Sequence, residues 1–71
     1  MSMIESCAKK LGATIYSTSN TRKEGTTVSF ADMNVSYGEM ESIIAQCNGK
    51  LQHYWLTLLG NGCTVFFPGV N

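Results

Sequence analysis

An α+β domain, ordered αββαββ, with two short helices packed on one face of a four-stranded antiparallel sheet, is the fold class the sequence predicts. Three observations predict it. Apolar residues recur at helical spacing in two stretches, each opened by a Ser-x-x-Glu pair. Each stretch is followed by a run rich in β-branched and aromatic residues, and each run is broken by a polar, glycine-containing turn.

The first helix starts from Ser2 and Glu5 at capping-box spacing, continues through Ile4, Cys7, Ala8 and Leu11, and stops at Gly12. Glu5 and Lys9 form an i,i+4 pair of the favourable orientation, and Lys9 and Lys10 sit where the helix dipole prefers positive charge. ATIYSTS, residues 13–19, then reads as a strand. NTRKEG, residues 20–25, reads as a hairpin loop, and TTVSFADM, residues 26–33, as its returning strand.

The plan then repeats. Ser36 and Glu39 open a second helix through Met40, Ile43, Ile44 and Cys47, which Asn48-Gly49 ends. Glu39 and Glu41 lie in its first turns and Lys50 just past its end, both favourable to the dipole. Strands are expected at residues 50–59 and 63–67, with Gly60-Asn61-Gly62 between them and Asn61-Gly62 as the two-residue turn. The halves are alike in element order rather than in residue identity. Two hairpins joined into one sheet under two helices is also what a circularly permuted split-βαβ layout gives. Alternatives are one helix docked elsewhere, or a strand exchanged with a second chain.

At 71 residues the chain is one small domain, residues 1–71, with no linker or low-complexity tract to divide it. Its composition, 44% hydrophobic and 14% charged, argues against disorder, and no apolar run approaches the roughly 20 residues of a membrane span. Formal net charge is +0, so no field steers the chain to duplex nucleic acid or to an anionic membrane. The N-terminal stretch is no secretory signal, and three widely spaced cysteines point to a reducing compartment, so the expected location is the cytoplasm. Asn34-Val35-Ser36 matches a glycosylation acceptor and is read as chance.

The last hairpin raises the functional question. With Asn61-Gly62 as its turn, Leu58 lies opposite Val65 and Leu56 opposite Phe67, so Tyr54, Leu56, Leu58, Cys63, Val65 and Phe67 share the core face. The opposite face carries His53, Trp55, Thr57, Leu59, Thr64 and Phe66, too apolar for open solvent. Two helices, each about 10 Å across, can cover one side of four strands about 4.8 Å apart, and nothing remains for the other. The expectation is a partner-binding face made of Trp55, Phe66, His53, Leu59, Thr57 and Thr64, covered by another protein, with a second copy of the chain the leading candidate. Alternatively, a tightly coiled sheet or the tail, residues 68–71, shelters part of it.

Catalysis is not expected. Cys7, Cys47, Cys63 and His53 have zinc-type chemistry, but no CxxC knuckle is present, Cys7 and Cys47 fall on helix stripes, and His53 and Cys63 fall on opposite faces. The same separation denies Cys63 a histidine base. No phosphate-binding glycine motif and no suggestive carboxylate pair occurs. Neither metal nor cofactor is therefore expected. The alternative function is binding of single-stranded nucleic acid, with Trp55, Phe66 and Tyr16 as stacking faces and Arg22, Lys23 and Lys50 on the phosphates. Sparse charge on the strands ranks it second. Size and neutrality suit a small adaptor or inhibitor acting by steric occlusion, of the kind phages and other mobile elements make.

Overall fold

The computed structural model describes residues 3–21, 23–58 and 60–69. Helix α1 spans Met3–Leu11, strand β1 Thr14–Thr21, β2 Gly25–Ala31, helix α2 Tyr37–Gln46, β3 Lys50–Thr57 and β4 Gly60–Pro68. The four strands form one antiparallel sheet in the order β1-β2-β4-β3. The two hairpins are thus joined through their second strands, and β1 and β3 are the edges.

Sequence chemistry explains the helix ends. Ser36 accepts from the Glu39 amide (3.3 Å) while the Glu39 carboxylate accepts from the Ser36 amide (3.2 Å), completing the capping box. Ser2, its expected counterpart at α1, lies outside the described residues. Both helices end with the same turn. Gly12 (φ 65°) and Asn48 (φ 59°) adopt the left-handed conformation, and the next amide reaches back, Ala13 to the Ala8 carbonyl (3.0 Å) and Gly49 to that of Ile44 (2.9 Å).

The inward stripes of both helices, Cys7, Ala8 and Leu11 on α1 and Met40, Ile44 and Cys47 at α2, pack on a single sheet face. That face is Val28, Phe30, Cys63, Val65 and Phe67, all fully buried, with Phe30 and Phe67 edge to face at 6.3 Å between ring centroids. Leu51 and Tyr54 extend it onto β3.

The likeness of the halves is geometric. β1 bulges between Ile15 and Ser17, and β3 between Leu51 and His53, at matching places after the matching helix ends. Each hairpin closes on a Thr-Gly pair, Thr21 with Gly25 and Thr57 with Gly60, and those glycines share φ values of 147° and 143°. At the centre Ser29 pairs with Thr64, its own counterpart, through a 3.2 Å hydroxyl contact. A local two-fold axis therefore passes through the middle of the sheet.

Two expectations need correction. The β1–β2 loop is shorter than residues 20–25, because Thr21 and Gly25 still pair and the Asn20 side-chain amide donates to Thr26 Oγ1 (3.2 Å). The β3–β4 ladder runs out to the pair Thr57–Gly60, so the hairpin does not turn at Asn61-Gly62. Leu56 lies opposite Asn61, not Phe67, and Leu58 lies beyond the ladder rather than opposite Val65. Asn61 and Gly62 belong to β4, where the Asn61 carbonyl accepts from the Met33 amide (3.3 Å) and Gly62 pairs with both Ala31 and Trp55. Extending the central β2–β4 ladder outweighs the local turn preference of Asn-Gly. The partner of Leu56 changes by an even number of residues, so side chains beyond the bulge keep the faces assigned to them.

Candidate functional site: the open face of the sheet

Register assigns the face away from the helices. Ser19, Thr27, Phe66 and Lys50 form one row across it; Ser17, Ser29, Thr64 and His53 the next; Thr14, Ala31, Gly62 and Trp55 the third. Phe66 and Thr64 are half-buried by their neighbours. Lys50 is exposed directly across from Phe66 because the β3 bulge, by inserting Gln52, sends Leu51 to the core and Lys50 to the open side.

Trp55 has a local explanation for being half-buried rather than exposed. Its indole lies over Gly62, where a β-carbon would collide with Cζ2 and Cε2 of the ring. The missing side chain on β4 makes room for the large one on β3. His53, exposed, stacks on the indole at 6.0 Å between centroids and 29° between planes. Gly62 was not legible as part of this site, because its pairing with asparagine is also a turn signal.

Of the remaining expected residues, Thr57 is exposed at the hairpin end and donates from Oγ1 to the Gly60 carbonyl (3.0 Å). Leu59 and Arg22 lie outside the described residues. Lys23 is exposed in the β1–β2 turn, at the end of the sheet opposite Trp55, and does not join the aromatic group. Tyr16 is the extra residue of the β1 bulge and is 73% exposed. The tail does not wrap this face as far as it is described: Pro68 pairs with Gly25, and the Gly69 amide donates to the Glu24 carbonyl (2.9 Å). Sequence reasoning also missed exposed Leu56 and Leu58, which it assigned to the core face. Leu56 does share the face of Tyr54, but the helices do not reach so far along the hairpin.

The three thiols are buried in the core. The Cys7 side chain neighbours that of Cys47, and the Cys63 thiol donates to Met33 Sδ at 3.6 Å. Among the described residues no group of three His, Cys, Asp or Glu is placed to hold a metal ion. Burial first, then the contact with Cys47, pushes the Cys7 thiol from its ordinary 9.0 up to about 12; burial pushes Cys63 up to about 11. Both folded values exceed the unfolded one. The thiols' contribution to stability is therefore complete below about pH 9 and is lost as pH rises through the folded values. Denaturant titrations from pH 8 to 11 are expected to show the unfolding free energy falling above pH 9, by about 1.4 kcal/mol per pH unit for each thiol that ionises only when unfolded. Cys7→Ala should remove its share of that slope, and an unchanged slope would show that other groups cause it.

Among the described residues no helix is long and apolar enough to cross a membrane. No family model matches the chain, and no curated protein or solved structure matches it either.

Proposed function

We propose that this chain is a small non-enzymatic interaction module that binds another protein through the open face of its sheet and acts as an adaptor or by steric occlusion. One observation carries the reading: both helices pack on the same side, which leaves Trp55, Phe66, His53 and Thr64 together on a side that no element among the described residues covers. Burying a large apolar side chain is worth about 1.5–3 kcal/mol, so covering this group is a substantial source of binding energy. Trp55 is the natural anchor, being large, partly pre-ordered on Gly62 and sharing its face with the hydroxyl-bearing Thr57 and Thr64.

Affinity capture from the source cell, with and without nuclease, tests it. A protein should co-purify with the wild-type chain, survive nuclease and be lost with Phe66→Glu, whose added charge sits mid-face and away from the core. Equal recovery by the variant would count against this face as the binding surface. Recovery that nuclease abolishes would favour the second reading, single-stranded nucleic acid on the His53–Trp55 stack with Lys50 nearby. That reading ranks lower because Lys50 is the sole charged side chain among the described residues in the three rows of this face.

A further inference from the structure

The two-fold likeness of the halves supplies an internal control. β1 and β3 follow matching helix ends, bulge at matching places and close on matching Thr-Gly pairs, so their residues correspond. Ser17, Thr18, Ser19 and Asn20 on β1 occupy the positions that His53, Tyr54, Trp55 and Leu56 occupy on β3. The β1 side chains are all exposed and polar. An edge strand in this fold can thus be hydrophilic, and the apolar character of β3 is not required by the architecture.

Edge strands ordinarily carry lysine, proline or inward charge to prevent further pairing. From Leu51 to Thr57 β3 has none of these, and no Asp, Glu, Lys or Arg occurs anywhere from residue 51 to the end of the sequence. The hydrogen-bonding direction of its backbone follows from the register. Thr57 and Gly60 are the last partners of the β3–β4 ladder, and the Leu56–Asn61 pair before them is of the non-hydrogen-bonded type. The Asn61 carbonyl agrees, since it turns away from β3 to accept from the Met33 amide. The N–H and C=O groups of Leu56 and of Tyr54, two residues earlier, therefore point outward from the sheet edge.

We infer that β3 is a self-association edge: two copies of this chain join β3 to β3 about a two-fold axis at Trp55, making one continuous eight-stranded sheet. This rests on the proposed reading of the open face and extends it, because the join merges two such faces. In this register Tyr54 lies opposite the partner's Leu56, and Leu56 opposite the partner's Tyr54. Each couple exchanges a pair of N–H···O=C bonds using the outward groups. Tyrosine then covers Leu56, which is 73% exposed in the single chain. Trp55 meets the partner's Trp55 as a close, non-hydrogen-bonded pair on the open face, the arrangement in which cross-strand aromatics interact best. A two-fold contact sets a segment against itself, so charges near the axis would repel their own copies; Leu51–Thr57 holds no Asp, Glu, Lys or Arg, and Lys50 lies five residues from the axis. Pairing β3 with β1 of another copy would instead oppose Leu56 and Trp55 to hydroxyls and would propagate without closing. The ladder is short, at the low end of interface sizes (below about 1,200 Å²), so the dimer exchanges and depends on concentration.

Sedimentation velocity from low to high micromolar concentration tests this. The wild-type chain should move from 7.7 kDa towards twice that mass. Leu56→Pro, which removes an outward N–H at an exposed edge position, should weaken the dimer at least tenfold, with circular dichroism and the thermal midpoint retained. Leu56→Lys should do the same and serves if the proline variant misfolds. Phe66→Glu, on the face but not the edge, should still dimerise. A wild-type chain that stays at 7.7 kDa throughout overturns the edge while leaving capture through the face to stand or fall by its own test. A dimer that Phe66→Glu abolishes and both Leu56 variants preserve overturns the edge in favour of face-to-face association.

Discussion

Phe30→Ala is expected to leave the chain largely unfolded at physiological temperature. Phe30 is fully buried on the central strand β2, under both helices and edge to face with Phe67. Removing such a ring costs about 3–5 kcal/mol, part for the lost transfer energy and part for the cavity left behind. A chain of 71 residues has a total stability of about 4–10 kcal/mol. The loss is thus comparable to the whole, and the thermal midpoint should fall by about 12 °C or more. Thermal melts followed by circular dichroism check it. A fall of only a few degrees would mean that the helices can close over the gap, and that the core is looser than its packing indicates.

Gly62→Ala should have the second largest effect, and a different signature. A β-carbon at Gly62 would stand 2.5 Å from the Phe30 carbonyl oxygen and inside the indole of Trp55. The indole can swing away because β3 is an edge. The carbonyl belongs to the adjacent central strand and can yield only by parting β2 from β4. A cost of about 1–3 kcal/mol is expected for this overpacking, together with a red shift of tryptophan emission as the ring enters water. Since Trp55 is the only tryptophan, the shift reports on this contact alone. An unshifted spectrum in a folded variant would show that the indole does not depend on the glycine for its place.

These residues also mark how far the sequence could be read. The helix at residues 37–46 was legible because its signals are local: Ser36 and Glu39 cap each other and Asn48 ends the helix with no help from elsewhere. The division of β3 and β4 into two faces was legible as well, since alternation is local and survived a shift of register by an even number of residues. Asn61-Gly62 was misplaced because what decides its role is remote. β2 takes up the Asn61 carbonyl, and Trp55 needs the space above Gly62. The bulge at Gln52, which exchanges Leu51 and Lys50 between faces, leaves no mark in the pattern of residue types. Nor could alternation reveal which strands would be edges. That follows from the pairing of β2 with β4, between segments far apart in the chain, and with it went the significance of Leu56.

The central ladder has one further effect. Each half of the molecule taken alone is a hairpin and a single helix, a combination with too little interior to stand in water. The two fully buried rings come one from each half and pack edge to face on each other, Phe30 lying opposite Cys63 and Phe67 opposite Thr26 in the central ladder. Solidity is therefore a joint property: the domain melts as one unit or not at all, and a chain cut within residues 32–35 would yield two fragments that regain order only by finding each other.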